Sequence, residues 1–254
     1  MIKKIMKSTK FFIKKHNNNI KSRIAVQAHI FFVEVLNEII DCSNNVSESF
    51  DLFITTDTKK KAEYILQMVN IKSKANSIEI MICPNKGRDI APFLMQMKNK
   101  VLEYKYLCHI HAKKSIHTDF GDKWRKYLLD KLLGSYTIVK NIINEFDIDK
   151  NIGIMYPPPF DGLIDDLIKH GNNRYIKRLS IMIGIDLLYQ ELNTFPAGDM
   201  FWLRTESAIQ LLRYNFNWND FPDEKGQLDF TIMHAIERVW KNIVEYNGYK
   251  LKSL

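Results

Sequence analysis

The first half of the chain alternates between short apolar runs, rich in β-branched and aromatic residues, and longer segments whose apolar residues recur at helical spacing. After Thr58, for example, Ala62, Ile65 and Val69 fall on one helical face. A later helix is expected to begin at Asp89, whose side chain can cap it. The predicted strands are 24–32, 50–56, 78–83 and 106–112, and the predicted helices are 34–42, from Thr58 and from Asp89. This alternation predicts a mostly parallel sheet covered by helices.

The second half of the chain is less regular. Its predicted helices are 122–133, 135–146, 206–213 and 227–245, and its predicted strands are 152–156 and 200–204. In residues 160–193 the apolar residues show neither the alternation of a strand nor the spacing of a helix. Such a segment is typical of an excursion over a substrate cleft or of an ordinary surface insertion. With 254 residues and 46% hydrophobic side chains, the chain can bury one sizeable core. We therefore predict a single α/β domain over residues 24–249.

The cysteines and the length of the apolar runs predict the cellular location. Cys42, Cys83 and Cys108 show neither the even count of a disulfide framework nor the paired spacing of a zinc site, so they are typical of reduced thiols. No apolar run approaches the roughly 20 residues of a membrane-spanning helix, and no segment resembles a cleavable signal sequence. The sequence therefore predicts a cytoplasmic protein.

The net charge of +8 is concentrated in residues 1–23, which contain eight basic residues and no acidic one. The basic residues in the rest of the chain equal its 29 acidic residues in number. A nucleic-acid-binding domain normally carries its basic stripe on the folded body, so nucleic acid is not expected as a partner. Ile, Met and Phe are interleaved with the lysines. The segment is therefore either a basic amphipathic arm that binds an anionic membrane surface through residues 1–20, at the inner face of the cell membrane, or a solvated tail.

Polar side chains follow three of the predicted strands, where ligands bind in open α/β sheets. They are Thr56 and Asp57 after the second strand, Asn85, Lys86, Gly87, Arg88 and Asp89 after the third, and His109, His111, Lys113 and Lys114 at the end of the fourth. Each cluster alone has an ordinary explanation, such as a helix cap, a turn or a solvated surface. Their expected position at one edge of the sheet predicts a ligand-binding site.

Several of these clusters lie in longer motifs that resemble one protein family. The segments PNKGRDIAPF, HIHAKKS, GDKWRKYLLDKLLGS, FPAGDMFWLR and GQLDFTIMHAIER resemble the rhamnan synthesis protein F family over about residues 24–249. The resemblance implies a glycosyltransferase that builds rhamnose-containing surface polysaccharides. It further implies dTDP-L-rhamnose as donor, a lipid-linked or growing glycan as acceptor, and no cofactor beyond the nucleotide sugar. It also leaves open a dependence on a partner protein.

The order of elements is similar to the GT-A glycosyltransferase fold. That resemblance implies that Asp57 reads the nucleobase and that an Asp-x-Asp motif at the end of the fourth strand holds a metal ion. This chain instead has His109, His111, Lys113 and Lys114 there, which are poor ligands for Mg²⁺ or Mn²⁺. The same groups suit the negative charge that grows on a departing diphosphate. We therefore predict a metal-independent site, with a His-x-His pair for Zn²⁺ as the alternative.

An inverting transferase needs a carboxylate to accept the proton of the attacking hydroxyl. Asp229, near the start of the last predicted helix, is the first candidate, and Asp199 and Glu224 are the others. The alternative is that Asp229 is an acid that only complements the helix dipole. Gly198 and Trp202 are predicted to lie on the acceptor side. The alternative function is a non-catalytic glycan-binding or scaffold subunit of a polysaccharide assembly complex.

Overall fold

One eight-stranded sheet with helices on both faces forms the part of the chain that the computed structural model describes, which is residues 10–14, 21–112, 121–160, 173–187, 195–227 and 229–254. The strands are β1 Lys10–Lys14, β2 Ile24–His29, β3 Phe50–Thr56, β4 Ser77–Ile82, β5 Tyr106–His111, β6 Ile152–Tyr156, β7 Phe201–Arg204 and β8 Lys250–Ser253. The α-helices are α1 Leu36–Ser43, α2 Lys59–Lys72, α3 Ile90–Met97, α4 Gly121–Leu133, α5 Tyr136–Ile148, α6 Asn173–Ile183, α7 Ile209–Arg213 and α8 Ile232–Tyr246.

The strand order across the sheet is β1-β4-β3-β2-β5-β7-β6-β8. Strands β4, β3, β2 and β5 are parallel, β1 and β7 run antiparallel to their neighbours, and β8 runs parallel to β6. The chain therefore winds from β2 outwards to β4 and then returns to the other side of β2 to form β5. The predicted α/β domain with a mostly parallel sheet is confirmed.

Period-two alternation in the strands divides the core between the two faces of the sheet. In β2, Ile24, Val26 and Ala28 belong to a core with α1, α2, α4 and α5. Ala25 lies on the opposite face, in a core with α3, α6, α7 and α8. Strands buried on both faces read as nearly continuous apolar runs, which is why the central strands could be predicted from the sequence.

Several elements differ from the prediction. The last helix begins at Ile232 rather than 227, because the Thr231 side chain caps it by accepting a hydrogen bond from the His234 amide. The chain before that cap pairs instead with the loop after β4, through a bridge between Lys86 and Asp223. Helix α6 lies within the stretch 160–193 that follows neither spacing, and the predicted helix 206–213 opens as a 3-10 turn over Thr205–Ala208.

Residues 10–14 of the predicted N-terminal arm form the edge strand β1, antiparallel to β4. Nζ of Lys10 lies 3.5 Å from Oε1 of Glu79 in β4. The side chains of Phe11 and Ile13 pack against the core. Residues 1–9 and 15–20 lie outside the described residues. Among the described residues, no helix is long and apolar enough to cross a membrane.

The loop after β4 turns through two left-handed residues, Gly87 with φ of 66° and Arg88 with φ of 54°. A Cβ atom on Gly87 would lie 2.5 Å from the Cβ of Ala91 and 2.8 Å from the ring of Phe221. The backbone of the loop therefore lies against the start of α3 and the segment that precedes α8. Only glycine meets both the conformational and the steric requirement.

Replacing Gly87 with Ala should destabilise the protein by about 2–4 kcal/mol, because overpacking adds to the cost of a left-handed Ala. Gly184→Ala is the matched control, since Gly184 also has a positive φ, of 70°, but no heavy atom within 4 Å of the added Cβ. That control should lose only about 1–2 kcal/mol. Chemical denaturation of both variants measures the difference, and equal losses would contradict the close packing of the loop.

Candidate active site

The strand order of the sheet reverses between β2 and β5, which is the switch point at which open α/β sheets form a crevice. Ligands of open α/β sheets bind in such crevices, outside the carboxyl ends of the strands. Strands β2 and β5 end there in His29 and His111, which are direct neighbours in the register. Because β7 runs antiparallel to β5, the residues that precede β7, Gly198 and Asp199, arrive at the same edge. The end of β5 and the loop before β7, which are far apart in the sequence, therefore meet at this edge.

One face of β2, β3 and β5 changes from apolar to polar towards this edge. Ala25, Phe53 and Leu107 belong to the core beside α3. Further along the same face come Gln27 and His29 in β2, Thr55 in β3, and His109 and His111 in β5. All five polar side chains are buried. The face beside α3 therefore ends in a buried polar cluster.

Asp89 reaches this cluster from the start of α3. It occupies the N-cap position predicted for it, but its side chain makes no capping hydrogen bond. Its Oδ2 atom lies 3.4 Å from Nε2 of His109 and 3.8 Å from Nε2 of His111. Burial opposes ionisation of Asp89, but His111 and His109 outweigh it and hold the pKa of this carboxyl below its ordinary value. The predicted capping role is therefore wrong, because the carboxylate turns to the imidazoles.

Asp199 reaches the cluster from the other side, and its side chain is buried. Its Oδ1 atom accepts a hydrogen bond of 2.7 Å from the indole of Trp240. Its Oδ2 atom lies 3.7 Å from Nε2 of His109 and has no hydrogen-bond partner among the described residues. Burial, followed by the charges of Asp89 and Glu237, raises the pKa of Asp199 well above its ordinary value. The pKa of Asp89 is thus lowered, whereas the pKa of Asp199 is raised.

The imidazoles of the cluster are held by neighbouring polar groups. Nδ1 of His109 lies 2.7 Å from Oε1 of Gln27, and the ring stacks on Phe93 at 4.2 Å. His111 donates from Nε2 to the carbonyl of Gly198 at 2.7 Å. Nδ1 of His29 lies 2.9 Å from the Thr55 hydroxyl. Burial lowers the pKa of His29 to about 4, so this ring is neutral at neutral pH.

A second cluster of charged residues joins the loop after β4 to α8. Arg88 donates from Nε to Glu224 at 3.3 Å and also donates to the carbonyl of Gln227. Asp229 accepts two hydrogen bonds from Arg238, of 2.9 and 3.1 Å. Asp229 and Glu224, two of the predicted proton acceptors, are therefore both paired with arginines.

The remaining predicted site residues have different surroundings. Asp57 lies 2.7 Å from Nζ of Lys61, one helical turn further on, and Asn85 is exposed. Thr56 is completely buried and donates its hydroxyl to the carbonyl of Ile30, so its side chain cannot bind a ligand as predicted. Trp202, predicted on the acceptor side, is also completely buried and donates its indole N–H to Leu132 within the core, so that assignment is wrong. Lys113 and Lys114 lie outside the described residues.

Sequence reasoning missed Gln27 and His29 because it considered only residues that follow the strands. A signal was present within β2 itself. Both residues alternate with apolar residues inside an otherwise buried strand, where a polar side chain must find a partner. Their regular spacing places them on one face, next to His109 and His111 in the neighbouring strand.

The fold and this cluster define an α/β protein with a candidate ligand site at the switch point of its sheet. Comparison with known proteins adds the family. The chain belongs to the rhamnan synthesis protein F family, whose model matches residues 2–249, so the resemblance read from the sequence motifs is confirmed. The family is one of polysaccharide synthesis.

Two curated relatives are similar to the chain. Each is described as the uncharacterized protein WxcX, from two strains of Xanthomonas campestris pv. campestris. Each is 32% identical over 234 residues, which is 90% of this chain. The chain spans about a third of their length, 32%.

The hydrogen bonds of His234 determine its tautomer. Arg88 can only donate, so Nε2 of His234 accepts its hydrogen bond of 3.3 Å. Nδ1 must then carry the ring proton and donate it to the hydroxyl of Thr231, at 2.6 Å. A second ring proton would face the Arg88 guanidinium. Burial, together with Arg88, accordingly lowers the pKa of His234 to about 4.

This shift predicts a loss of stability in mild acid. The folded-state pKa of His234 is about 4 and the ordinary value is 6.5, so the unfolded chain takes up a proton first as pH falls. The His234 contribution to the free energy of unfolding should therefore drop between pH 6.5 and 4, by about 2 kcal/mol at pH 5. His234→Gln should flatten the pH dependence by that amount in urea unfolding at pH 7 and pH 5. Identical pH dependence in the two proteins would contradict it.

Proposed function

We propose that this chain is a glycosyltransferase domain that moves a sugar from a nucleoside diphosphate donor to a cell-surface polysaccharide or lipid-linked glycan. The observation that carries the proposal is the buried cluster of carboxylates and imidazoles at the switch point of the sheet, in a member of a rhamnan synthesis family. The family favours L-rhamnose from dTDP-L-rhamnose. A GT-A-like arrangement is supported by the parallel strands β4-β3-β2-β5 followed by the antiparallel β7.

The donor is proposed to bind along the carboxyl edge of β3, β2 and β5. Asp57 follows β3 directly, where the nucleobase contact is expected from the GT-A resemblance. The diphosphate would then lie towards the imidazole of His111, with Lys113 and Lys114 following in the sequence. Fixed positive or donor groups at that point would stabilise the charge that develops on the departing phosphate.

Asp229 is proposed as the proton acceptor of an inverting transfer. It lies shortly before the start of α8, within the segment that Arg88 connects to the loop after β4. Asp199 and Glu224 are the alternatives. Asp199 is buried, and Glu224 is held by Arg88 as Asp229 is held by Arg238.

A non-catalytic glycan-binding subunit remains the second candidate, because a specific observation favours it. The carboxylates of Asp229 and Glu224 are both paired with arginines, so neither can meet an acceptor hydroxyl without giving up part of an ion pair. Consumption of a nucleotide sugar by the purified chain, measured as release of the nucleoside diphosphate, distinguishes the two functions. A chain that binds glycan but releases no nucleotide with any donor tested would be the subunit.

Two substitutions separate proton transfer from donor binding. Asp229→Asn keeps the shape of the side chain but removes its basicity, so turnover should fall by roughly 10²–10⁴ with little change in donor affinity. Asp57→Ala should weaken donor binding and leave turnover at saturating donor comparatively unchanged. Steady-state kinetics and calorimetric titration of the donor measure both effects.

The ion pair of Asp229 requires its own control, because Asp229→Asn also removes a partner from Arg238. Arg238→Gln breaks the same pair and leaves the carboxylate in place. If Asp229 is the base, Arg238→Gln should cost much less turnover than Asp229→Asn. Equal losses would assign Asp229 a structural role, and wild-type turnover of Asp229→Asn would pass the role of base to Asp199 or Glu224.

We also propose that residues 1–20 attach the domain to an anionic membrane surface. Since Lys10–Lys14 is a strand of the sheet, the test should spare it and replace only Lys3, Lys4 and Lys7 with Gln. Each Lys near anionic headgroups contributes about 1 kcal/mol, so the triple variant should bind phosphatidylserine vesicles roughly 100-fold more weakly at low salt. Vesicle sedimentation measures it. If the unsubstituted chain does not bind anionic vesicles, residues 1–20 are better explained as a solvated tail.

A further inference from the structure

Two carboxylates and one imidazole converge at the switch point of the sheet. Asp89, His109 and Asp199 each present one ligand atom, and these three atoms all lie within 4.8 Å of one another. They come from the start of α3, the end of β5 and the loop before β7. We propose that these three side chains bind one divalent transition-metal cation, Mn²⁺ or Zn²⁺.

A chain of hydrogen bonds determines which nitrogen of His109 faces the two carboxylates, and that nitrogen, Nε2, lies 3.4 Å from Oδ2 of Asp89. The Gln96 amide nitrogen donates to the carbonyl of Ile54 at 3.1 Å, so the Gln96 oxygen accepts from the Gln27 amide nitrogen at 3.2 Å. The Gln27 oxygen must then accept from Nδ1 of His109, at 2.7 Å. The ring proton is thereby fixed on Nδ1, and the lone pair of Nε2 faces the two carboxylates. Metal-binding histidines are typically oriented by such a bond from the other ring nitrogen.

The second carboxylate has an oxygen that needs a partner. Asp199 is only 3% exposed, and Trp240 satisfies its Oδ1 atom. Its Oδ2 atom has no hydrogen-bond donor among the described residues, although it lies 3.7 Å from Nε2 of His109. A buried, unpaired carboxylate oxygen is costly, and a coordinated cation removes that cost.

The distances between the ligand atoms fit a common cation. Metal–ligand bonds of about 2.0–2.2 Å place neighbouring ligand atoms about 3.0–3.5 Å apart in octahedral or tetrahedral geometry. Nε2 of His109 lies 3.4 Å from Oδ2 of Asp89 and 3.7 Å from Oδ2 of Asp199, so these two distances need to contract by at most a few tenths of an ångström, and all three ligand atoms lie within 4.8 Å of one another. His111 uses its Nε2 proton on the carbonyl of Gly198 and is not a ligand through that atom.

The donor set also selects the type of cation. One imidazole with two carboxylates suits Mn²⁺ or Zn²⁺ better than Mg²⁺, which prefers oxygen ligands alone. Three protein ligands leave coordination positions open for water or for a diphosphate oxygen. The expectation of a metal-independent site considered only the histidines and lysines after the fourth predicted strand, whereas Asp89 and Asp199 join His109 through the fold. A catalytic role of the cation rests on the proposed sugar transfer, but binding can be measured without any donor.

Calorimetric titration of the full chain, stripped with EDTA and dialysed free of it, tests the site directly. Mn²⁺ and Zn²⁺ are the probes, and at least one should bind with one equivalent, more tightly than Mg²⁺. Asp199→Asn should weaken that binding by at least roughly 10–100-fold, since even residues that only orient a metal ligand contribute that much. Asp130→Asn is the matched control, because Asp130 pairs with Lys126 on the exposed surface of α4, and it should bind like the wild type.

Thermal unfolding provides a second measurement. If Asp199 had only a structural role, the gain in Tm on adding metal would not depend on it. Free Mn²⁺ or Zn²⁺ at about 100 times its Kd should raise the wild-type Tm by roughly 5–10 °C. Asp199→Asn can keep the bond from Trp240 and replaces a buried acid with a neutral amide, so without metal its Tm should equal or exceed that of the wild type. The metal should then raise the Tm of Asp199→Asn little. If Asp199→Asn does not fold, Asp89→Asn is measured in the same way.

The proposal is overturned if the wild type binds neither Mn²⁺ nor Zn²⁺ saturably, or if the substituted chain binds with unchanged affinity and the same gain in Tm. Neither result bears on nucleotide-sugar consumption, which is measured separately. Conversely, a chain that binds the metal but consumes no nucleotide sugar would count against the proposed transfer and leave the metal site intact.

Discussion

The burial of polar side chains between the sheet and α3 is the constraint on which the site depends. A polar group removed from water costs free energy unless it is hydrogen-bonded, so every side chain of the buried polar cluster must find a partner inside the protein. Gln27 meets this requirement in both directions, since its amide binds His109 on one side and Gln96 on the other. The position and tautomer of His109 are therefore set by the packing of β2, β5 and α3 rather than by solvent.

Helix α8 packs on the same face of the sheet as α3 and also supports this edge. Trp240 donates to Asp199, and Glu237 accepts a hydrogen bond of 3.0 Å from the amide of Gly198. One turn earlier, His234 contacts Arg88, which belongs to the loop after β4. The helix thus connects both carboxylate-bearing loops, so a change in its position would move Asp89 and Asp199 relative to His109. This coupling explains how a site built from three distant segments can hold one geometry.

The sequence predicted elements buried on both faces better than elements at the edges. Strand β3 was predicted as 50–56 and is found at Phe50–Thr56, because all seven residues are buried and form a continuous signal. Strands β1 and β8 were missed, since each is rich in Lys and lies at an edge of the sheet, where apolar alternation is weak. Residues 85–89 and 109–111 were correctly expected at one edge, as parallel topology requires. The approach of Asp199 could not be predicted, because it depends on the antiparallel insertion of β7 between β5 and β6.

Backbone strain in the described residues is confined to the segments around this edge. The non-glycine residues with positive φ there are Arg88, Asp199 and Phe230, and they lie in the loop after β4, the loop before β7 and the segment before α8. The first two follow Gly87 and Gly198, which also have positive φ. Such conformations cost on the order of 1–3 kcal/mol each and persist only where the surrounding structure imposes them. Two successive left-handed residues turn each loop sharply enough to direct Asp89 and Asp199 towards His109. The strain is therefore located where it sets the separation of the two carboxylates.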